Sequence, residues 1–514
     1  MRLGELAQTS KRVARTSARL EKIDLLAATL RRLSDREVPV AVAYLSGELP
    51  QGRIGIGPAM LEAAFPDASA AAPTLSLLEV DAALDRIASL SGPGSTGKRG
   101  RLLRELLARG TREEQEFLAR LLLGELRQGA LQGVMVEAIA RAADVPASAV
   151  RRAHMFSGDL PEVAAAALLE GAQALARFSI QLFRPVQPML AQTVDEIEDA
   201  LRRLENAALE YKLDGARVQV HRAGGEVRVY TRRLNDVTAA VPELVEGVLA
   251  LPVRDIILDG EALAFRPDGK PQPFQVTMRR FGRKLDVARM QRELPLSAYY
   301  FDVLYLDGAS LSDQPTRERL AAIQEALPEE LVIPRTVTGD AEEGEAFLQG
   351  ALAAGHEGIM AKALDAPYEA GRRGQSWLKL KPAHTLDLVV LAAEWGSGRR
   401  RGWLSNLHLG ARDPATGGFV MLGKTFKGMT DEMLEWQKRR LQELEVARDE
   451  WTVHVRPELV VEIAFNDIQT SPTYPGGLAL RFARVKRYRP DKRPEQADTI
   501  ETVRAIHERQ VDRS

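Results

Sequence analysis

The stretch EYKLDGARVQVHR, from Glu210 to Arg222, decides the fold of the middle of this chain. Val218 and Val220 alternate with polar residues, and a second alternating run, EVRVYT, follows a short turn that contains two glycines. Alternation with a period of two is typical of strands that bury one face, so we expect a β-hairpin here. The same stretch places Lys212 at the end of a preceding strand, beside an Asp-Gly turn.

The residues that follow this hairpin continue the mixture of strands and helices. Apolar runs predict three more strands, and apolar residues at helical spacing predict two helices between them. The strands are expected at 255–265, 298–306 and 357–363, and the helices at 316–327 and 341–354. We therefore predict an α+β domain over residues 183–382.

The chain before this domain has a helical texture. Residues 1–182 are rich in Ala, Leu, Arg and Glu, with apolar residues at helical spacing. Thr111 followed by Glu114 matches the capping box that satisfies the first N–H groups of a helix. Glycine-rich stretches at 92–100 and 124–133 are typical of loops. We predict an all-α domain here.

The chain after the α+β domain has short strands around one helix. Strands are expected at 386–395, 404–411, 418–424 and 458–465, with a helix near 430–446. A region of this size and pattern suits a small β-barrel such as an OB-fold, although other small barrels share the pattern. The prediction is a multidomain chain whose last domain covers residues 383–514.

Composition limits the classes of function. The 514 residues predict about three domains, and no apolar run approaches the roughly 20 residues of a membrane helix. The N-terminus lacks the apolar core of a secretory signal, so we expect a cytoplasmic protein. Because there is no cysteine, disulfides, thiolate zinc sites and cysteine nucleophiles are excluded. A net charge of -1 does not by itself indicate nucleic acid, although local basic patches remain compatible with it.

The α+β domain carries several reactive residue types in separate motifs. An isolated K-x-D-G is most often an exposed strand end with a turn, but four companions follow it in this chain. They are LDGEALAF with Glu261, YYFDVLYLDG with Phe301, EGIMAK with Glu357, and WLKLK with Lys379 and Lys381. Nucleotidyl transfer depends on positioning and charge neutralisation, and this set offers an amine among charges of both signs.

The ordered motifs resemble those of the covalent nucleotidyltransferases, and among them the ATP-dependent DNA ligases of the archaeal and eukaryotic replicative type. The basic run LRFARVKRYRPDK at 480–492 is similar to the last motif of these ligases. It departs from the family at Ala483, where proline is frequent, and at Pro490, which precedes Asp491. The resemblance covers the whole chain and implies a helical DNA-binding domain, an adenylation domain and an OB-fold domain.

The resemblance also implies roles for individual residues. Lys212 would attack the α-phosphate of ATP and form a lysyl-AMP, which serves to seal 3′-hydroxyl/5′-phosphate nicks. Glu261 would contact the ribose or a metal, Glu357 would bind the metal, and Phe301 would stack on adenine. Asp214 would support the metal or the 3′-hydroxyl. Magnesium is the expected ion, with manganese as a substitute. The expected nucleotide contacts are Glu210, Lys212, Arg217, Arg232, Glu261, Phe301, Arg373, Lys379 and Lys381, with Arg372 as an alternative to Arg373.

Basic residues outside the middle domain have expected partners too. The last motif would grip pyrophosphate when the OB domain swings over ATP, because the planar arginine fork suits phosphate oxygens. Its cations are Arg481, Arg484, Arg487, Arg489 and Lys492. The run GPGSTGK at 92–98 imitates a phosphate loop but has Arg99 where that loop needs Ser or Thr. We expect Lys98, Arg99, Arg101 and Arg127 to meet DNA phosphates from loops instead.

Rival interpretations share part of these motifs. An RNA ligase or a capping guanylyltransferase would share the lysine, but the long helical region and the RPDK ending favour DNA. An NAD-dependent ligase is disfavoured because that type usually carries a four-cysteine zinc module. A nick-binding protein without catalysis is the non-enzyme alternative. We expect a nucleoid-associated monomer that binds nicked duplex DNA; replication, repair and recombination, and a sliding clamp as partner, stay open.

Overall fold

The computed structural model describes residues 1–66, 68–126, 131–281, 286–370, 373–381, 384–397 and 400–513. The first part of the chain is helical, as predicted, and its helices share one apolar core. A single π-helical turn, Ala166–Glu170, continues α10. The helices are α1 (Leu3–Arg15), α2 (Arg19–Leu30), α3 (Glu37–Leu45), α4 (Pro58–Ala64), α5 (Leu77–Ser89), α6 (Ser95–Ala108), α7 (Arg112–Leu122), α8 (Leu131–Ala143), α9 (Ala147–Ser157), α10 (Leu160–Ala165) and α11 (Ala172–Leu175).

Two predicted loops of this part are shorter than expected. Lys98, Arg99 and Arg101 lie in α6, so the prediction that they meet DNA from a loop is wrong. The glycines of this stretch do not stop the helix, because buried Leu103 and its neighbours anchor it in the core. The second loop ends at Leu131, where α8 begins, and Arg127 lies outside the described residues.

The middle of the chain folds into two five-stranded sheets. The first has the order β1-β10-β9-β2-β8, and the second has the order β4-β3-β5-β6-β7. The strands are β1 (Leu190–Val194), β2 (Ala207–Lys212), β3 (Ala216–Ala223), β4 (Glu226–Thr231), β5 (Asp255–Ala264), β6 (Leu296–Leu306), β7 (Ala309–Ser310), β8 (Arg335–Thr338), β9 (Gly358–Ala363) and β10 (Arg373–Leu380). The helices are α12 (Ile197–Leu204), α13 (Pro242–Leu249), α14 (Phe274–Phe281), α15 (Val287–Glu293), α16 (Thr316–Ala326) and α17 (Ala341–Ala353).

The predicted hairpin is formed by β3 and β4, and Val220 of β3 pairs with Val229 of β4. Val218 and Val220 are fully buried, which is the face that the alternation predicted. One apolar cluster contains residues of both sheets, among them Leu213, Leu263 and Trp377. The end of β2 and the start of β3, which carry the K-x-D-G motif, therefore lie where the two sheets meet.

Two glycines allow the close approach of strands at this place. A Cβ on Gly215 would lie 2.5 Å from the carbonyl oxygen of Ala262. A Cβ on Gly358 would lie 2.2 Å from the carbonyl oxygen of Leu380, and the φ of this residue is 145°. Only glycine avoids both the contact and the backbone strain. The need for glycine at these two positions explains why Gly215 follows Asp214 and why Gly358 follows Glu357.

The last part of the chain is antiparallel β-structure, and it confirms the predicted OB-fold domain. Strand β11 pairs with β12 along one edge, and with β16 and then β15 along the other. The elements are β11 (His384–Trp395), β12 (Leu404–Arg412), β13 (Phe419–Thr425), α18 (Asp431–Glu443), β14 (Glu445–Arg448), β15 (Thr452–Val455), β16 (Val460–Phe465), β17 (Asp467–Thr470), β18 (Leu478–Arg481), β19 (Arg484–Tyr488) and α19 (Ile500–Arg513). The sequence did not predict β14, β15, β17, β18, β19 or α19.

The three parts touch one another. Met155 and Phe156 of α9 join the apolar cluster that also contains Phe301 and Trp377. Arg484 of β19 lies 3.6 Å from Asp195, which follows β1. Within the described residues, no helix has both the length and the apolar character that crossing a membrane requires. The domain boundaries at 182 and 382 remain predictions.

Candidate active site

Lys212 ends β2 and lies beside β9. The amine of Lys212 and the amine of Lys381 both donate hydrogen bonds to Glu357, one to each carboxylate oxygen. Register explains the arrangement, because Lys212 pairs with Gly358, the residue after Glu357. All three side chains are mostly buried, with 22–27% of each exposed. The structure thus brings together three residues from three separate sequence motifs.

Glu210 stands two residues before Lys212 on β2 and is almost fully buried. Its carboxylate lies 2.7 Å from the Lys362 amine and accepts a hydrogen bond from Arg335 at 2.8 Å. Lys362 also donates to the carbonyl oxygen of Phe301 at 2.9 Å. Burial lowers the pKa of Lys362, and the ion pair with Glu210 opposes that shift. Glu210 is therefore part of a buried ionic network below the Phe301 ring.

Arg217 of β3 is held by a carboxylate of the neighbouring strand. Its Nη2 and Nε donate to the two oxygens of Asp259 at 2.6 and 2.9 Å. Its Nη1 donates to the carbonyl oxygen of Met189 at 2.7 Å, and Tyr368 donates to Asp259 at 2.8 Å. The bidentate pair fixes the plane of the guanidinium, because both bonds must be met at once.

Phe301 lies in β6 with 8% of the residue exposed. Trp377 approaches it edge-on, with ring centroids 5.9 Å apart. The Lys362 amine lies 4.6 Å and the Arg217 guanidinium 5.4 Å from the centre of the Phe301 ring. Cations next to an aromatic face are favourable because of the ring quadrupole. Phe301 thus links the Glu210 network to the Arg217 pair.

Glu261 and Asp214 are carboxyl groups with raised pKa values near Lys212. Burial raises the pKa of Glu261 to about 8, while Lys212 and Arg217 oppose the shift. Burial and the like charge of Glu357 raise the pKa of Asp214 to about 6. Buried carboxyl groups hold their protons because the charged form is poorly solvated. Glu261 lies within β5, in the strand predicted at 255–265, and pairs with Arg217 of β3.

A divalent cation fits this set of carboxylates. Magnesium in proteins is commonly held by one or two carboxylates together with water and substrate phosphates. The charge of Lys212 lowers the pKa values of both Glu261 and Glu357, so the two carboxyl groups lie within electrostatic reach of the same amine. Their burial fits the same role, because a cation would relieve the cost of ionising Glu261. The described residues contain no cluster of three or more His, Asp or Glu side chains that could hold an ion unaided.

For three predicted nucleotide contacts we describe the position in the fold. Arg232 is exposed in the turn after β4, outside the ion pairs described above. Arg373 begins β10, but its side chain and the whole of Arg372 lie outside the description. Lys379 lies within β10, where it pairs with Met360 of β9. Lys379 is therefore one strand away from Glu357, which directly precedes β9.

The basic residues of the last motif divide into two groups. Arg484 and Lys486 each lie 3.6 Å from Asp195, across the boundary with the α+β domain. Arg487, Arg489 and Lys492 are paired with carboxylates of their own domain. Arg481 ends β18. In this conformation Arg484 and Lys486 of β19 connect the motif to the α+β domain through Asp195.

Sequence reasoning missed several partners of the site. Asp259, Arg335, Tyr368 and Trp377 were assigned no role, yet each contacts a predicted residue. Asp259 had a detectable feature, since it is a charged residue that follows a run of apolar residues in a strand. Such a residue is buried only with a partner, and here the partner is Arg217. Arg335 offered no comparable feature, because only the pairing of β8 with β2 brings it to Glu210.

Comparison with known protein families agrees with this division of the chain. Residues 63–140 match the family described as DNA ligase N terminus. Residues 188–381 match the ATP dependent DNA ligase domain, and residues 400–492 match the ATP dependent DNA ligase C terminal region. The three matches follow one another in the order of the three parts of the fold.

Relatives and a solved structure extend the likeness over the whole chain. A "Probable DNA ligase" of Anaeromyxobacter sp. (strain Fw109-5) is 63% identical over 513 residues, covering 99% of both chains. A "Probable DNA ligase" of Sorangium cellulosum is 61% identical, covering 99% of this chain and 95% of the relative. The solved structure of Pmar-Lig_PreS3 has the same fold, with a TM-score of 0.60, 19% identity, and coverage of 94% of this chain and 99% of that one. The chain belongs to the family of ATP-dependent DNA ligases.

Proposed function

We propose that this ligase seals 3′-hydroxyl/5′-phosphate nicks in duplex DNA through an AMP adduct on Lys212. The observation that carries the proposal is that the Lys212 amine is hydrogen-bonded to Glu357 and lies within electrostatic reach of Glu261. Two further cations act on the same carboxyl groups, Lys381 on Glu357 and Arg217 on Glu261. An amine among these groups can approach a triphosphate, because neighbouring cations balance the negative charge of the phosphates.

The proposed reaction has three steps. The neutral amine of Lys212 forms a bond to the α-phosphorus of ATP, the bond to the bridging oxygen breaks, and pyrophosphate leaves. An oxygen of the 5′-phosphate at the nick then attacks this phosphorus, which releases the lysine and forms a DNA-adenylate. Finally the 3′-hydroxyl attacks the 5′-phosphorus, so the phosphodiester bond forms and AMP leaves.

Nucleotide recognition is assigned to the residues around Phe301. The ring would stack on adenine, a contact that contributes about 1–3 kcal/mol per base in nucleic-acid complexes. The fixed guanidinium of Arg217 and the Lys362 amine, which is paired with buried Glu210, both lie near that ring. We assign Arg232, Arg373 and Lys379 to the nucleotide as well, on the strength of their motifs.

Glu261 and Glu357 would hold magnesium, or manganese in its place. The bound cation would neutralise charge that develops on the phosphates during transfer. Exchange of the Lys212 hydrogen bond on Glu357 for the ion would free the Lys212 amine. Asp214 is placed to assist, because Glu357 and Lys212 both influence its ionisation.

The helical and OB-fold domains would enclose nicked duplex DNA, with the protein acting as a monomer in the cytoplasm at the nucleoid. Lys98, Arg99 and Arg101 remain proposed phosphate contacts, now from helix α6. Phosphate contacts of this kind carry no sequence information, which suits an enzyme that seals any nick. A sliding clamp, and tasks in replication, repair or recombination, are open extensions of the same activity.

A sealing assay tests the proposal. Nicked duplex with a labelled 5′-phosphate is incubated with the protein, magnesium and either ATP or NAD. The proposal predicts a sealed strand with ATP alone, together with a transient DNA-adenylate one nucleotide larger than the substrate. Sealing that depends on NAD, or sealing of RNA in preference to DNA, would contradict it.

A further inference from the structure

One carboxylate in the OB-fold domain contacts both terminal cations of the last motif. Asp387 lies near the start of β11 and is 8% exposed. Its Oδ2 accepts from the Lys492 amine at 2.5 Å. Its two oxygens also lie 3.3 and 3.2 Å from Nη1 of Arg489. Arg489 and Lys492 are therefore joined through a single side chain.

The backbone holds this carboxylate firmly. The peptide N–H of Asp387 donates to Asp498 at 2.7 Å, and Asp498 donates its own N–H to the carbonyl oxygen of Asp387 at 2.8 Å. In the sheet Asp387 pairs with Glu462, which accepts a hydrogen bond from Arg487 at 2.7 Å. Asp387 and Glu462 are therefore neighbours on adjacent strands, and each accepts a hydrogen bond from a cation of the last motif.

The cations keep hydrogen-bonding capacity for a further anion. Asp491 accepts from Nε and Nη2 of Arg489, and Asp387 accepts from Nη1. A guanidinium has five N–H donors, so hydrogens remain on both terminal nitrogens. The Lys492 side chain is 30% exposed and has three donors, of which Asp387 takes one. A phosphate could therefore bind both cations while Asp387 still holds them.

We propose that Asp387 is a positioning residue for nucleotidyl transfer, which holds Arg489 and Lys492 as a pair for the phosphates of ATP. Without the carboxylate, two neighbouring cations repel each other and recover their rotamer freedom. Both effects oppose simultaneous binding of one pyrophosphate group. This inference rests on the proposed role of the last motif in forming the adduct on Lys212.

Asp387→Asn tests the inference because it keeps the size of the side chain and removes its charge. Single-turnover transfer of labelled AMP to the protein is measured over a range of ATP concentrations, and sealing of a pre-adenylated nick is measured separately. The expected result is a maximal rate of AMP transfer lower by about tenfold or more. Sealing of the pre-adenylated nick should stay close to wild type, whereas the melting temperature should fall, because the change breaks a mostly buried ion pair.

Matched variants separate positioning from general damage. Asp413→Asn removes an exposed carboxylate of the same domain that caps a turn after β12, and it should leave both steps unchanged. Asp387→Glu should recover part of the lost rate, because it restores the charge. In an Arg489→Ala/Lys492→Ala background, Asp387→Asn should cause no further loss, since Asp387 acts only through those two cations.

Several results would overturn the inference. Wild-type AMP transfer by Asp387→Asn would do so, as would equal losses in AMP transfer and in sealing of the pre-adenylated nick, which indicate a structural role. An additional loss in the Arg489→Ala/Lys492→Ala background would exclude action through the pair. If that double variant itself labels normally, the last motif has no part in adduct formation. Labelling of the wild-type protein in the same experiment reports on the Lys212 chemistry separately.

Discussion

Lys212 and Glu357 are joined twice, once through the backbone and once through their side chains. The peptide N–H of Glu357 donates to the carbonyl oxygen of Lys212 at 3.1 Å, and the Lys212 amine donates to the Glu357 carboxylate. The pairing of β2 with β9 therefore fixes Lys212 and its counter-ion as one unit. In the proposed reaction Lys212 would have to give up this partner before it attacks a nucleotide, so the ion pair would be the resting form of the site.

Replacing Glu357 by Gln should lower AMP transfer to the protein by about 100-fold or more. The amide keeps the size of the side chain, but it can neither balance two ammonium groups nor bind a divalent cation well. The measurement is single-turnover labelling with ATP at several magnesium concentrations. Glu345→Gln, on the exposed face of α17, is the control and should label normally. Normal labelling by Glu357→Gln would remove Glu357 from the site.

Glu261→Gln should change how stability depends on pH. The pKa of Glu261 is raised to about 8 from an ordinary value of 4.5. Between these values the folded state holds a proton that the unfolded state releases, so wild-type stability falls as pH rises through this window. Glutamine does not titrate, so the variant should gain melting temperature relative to wild type from pH 5 to pH 8. The gain should then level off.

The measurement is a series of thermal melts without nucleotide or metal. Magnesium with ATP should reduce the difference between the two proteins at pH 8, because a bound cation favours ionised Glu261 in the wild type. A difference in melting temperature that is constant from pH 5 to pH 9 would show that Glu261 has no raised pKa.

Gly215→Ala should damage the site through the backbone. A Cβ at this position would lie 2.5 Å from the carbonyl oxygen of Ala262 and 2.9 Å from Cγ of Glu261. The strands must separate to accept it, at a cost of about 1–3 kcal/mol, and this displaces the start of β3. We expect a lower melting temperature together with reduced AMP transfer.

Gly225→Ala is the matched control for this prediction. Gly225 lies in the turn between β3 and β4, and a Cβ there would meet nothing within 4 Å. That variant should keep wild-type stability and activity. If Gly215→Ala behaves in the same way, the close contact between β3 and β5 is not required by the site.

Asp259→Asn should raise the KM for ATP as well as lower stability. The change breaks the bidentate pair with Arg217, and the uncompensated buried cation should cost about 3–5 kcal/mol. Asp302 lies on the neighbouring strand β6, and Asp302→Asn breaks its buried pair with Arg319 of helix α16. Its stability loss should be similar, but the KM for ATP should change little. Equal effects of both variants on KM would contradict a specific role of Arg217.

The sequence predicted those features that depend on local pattern. The alternation around Val218 and Val220 identified the β3–β4 hairpin, and the ordered motifs identified the residues that meet at Lys212. The first turns of helix α6 were predicted as a loop, because their glycines resemble one and only buried Leu103 shows that the core retains them. Local sequence is weak evidence where tertiary packing overrides it.

The ionic partners within the site depend on tertiary structure. Arg335 is 125 residues from Glu210, and nothing in its own segment indicates a buried cation. The Lys212–Glu357 pair was also unexpected, because Glu357 was interpreted as a metal ligand alone. A motif shows which residue types are present, whereas strand register determines which of them share a hydrogen bond.

Labelling with ATP carrying a radioactive α-phosphate tests the central claim most directly. The protein is incubated with this ATP and magnesium, and the labelled peptide is identified by proteolysis and mass spectrometry. We predict one adduct, on Lys212 within EYKLDGAR, and no label on the Lys212→Ala variant, which should still bind nicked DNA. An adduct on another lysine, or undiminished labelling of Lys212→Ala, would contradict the account.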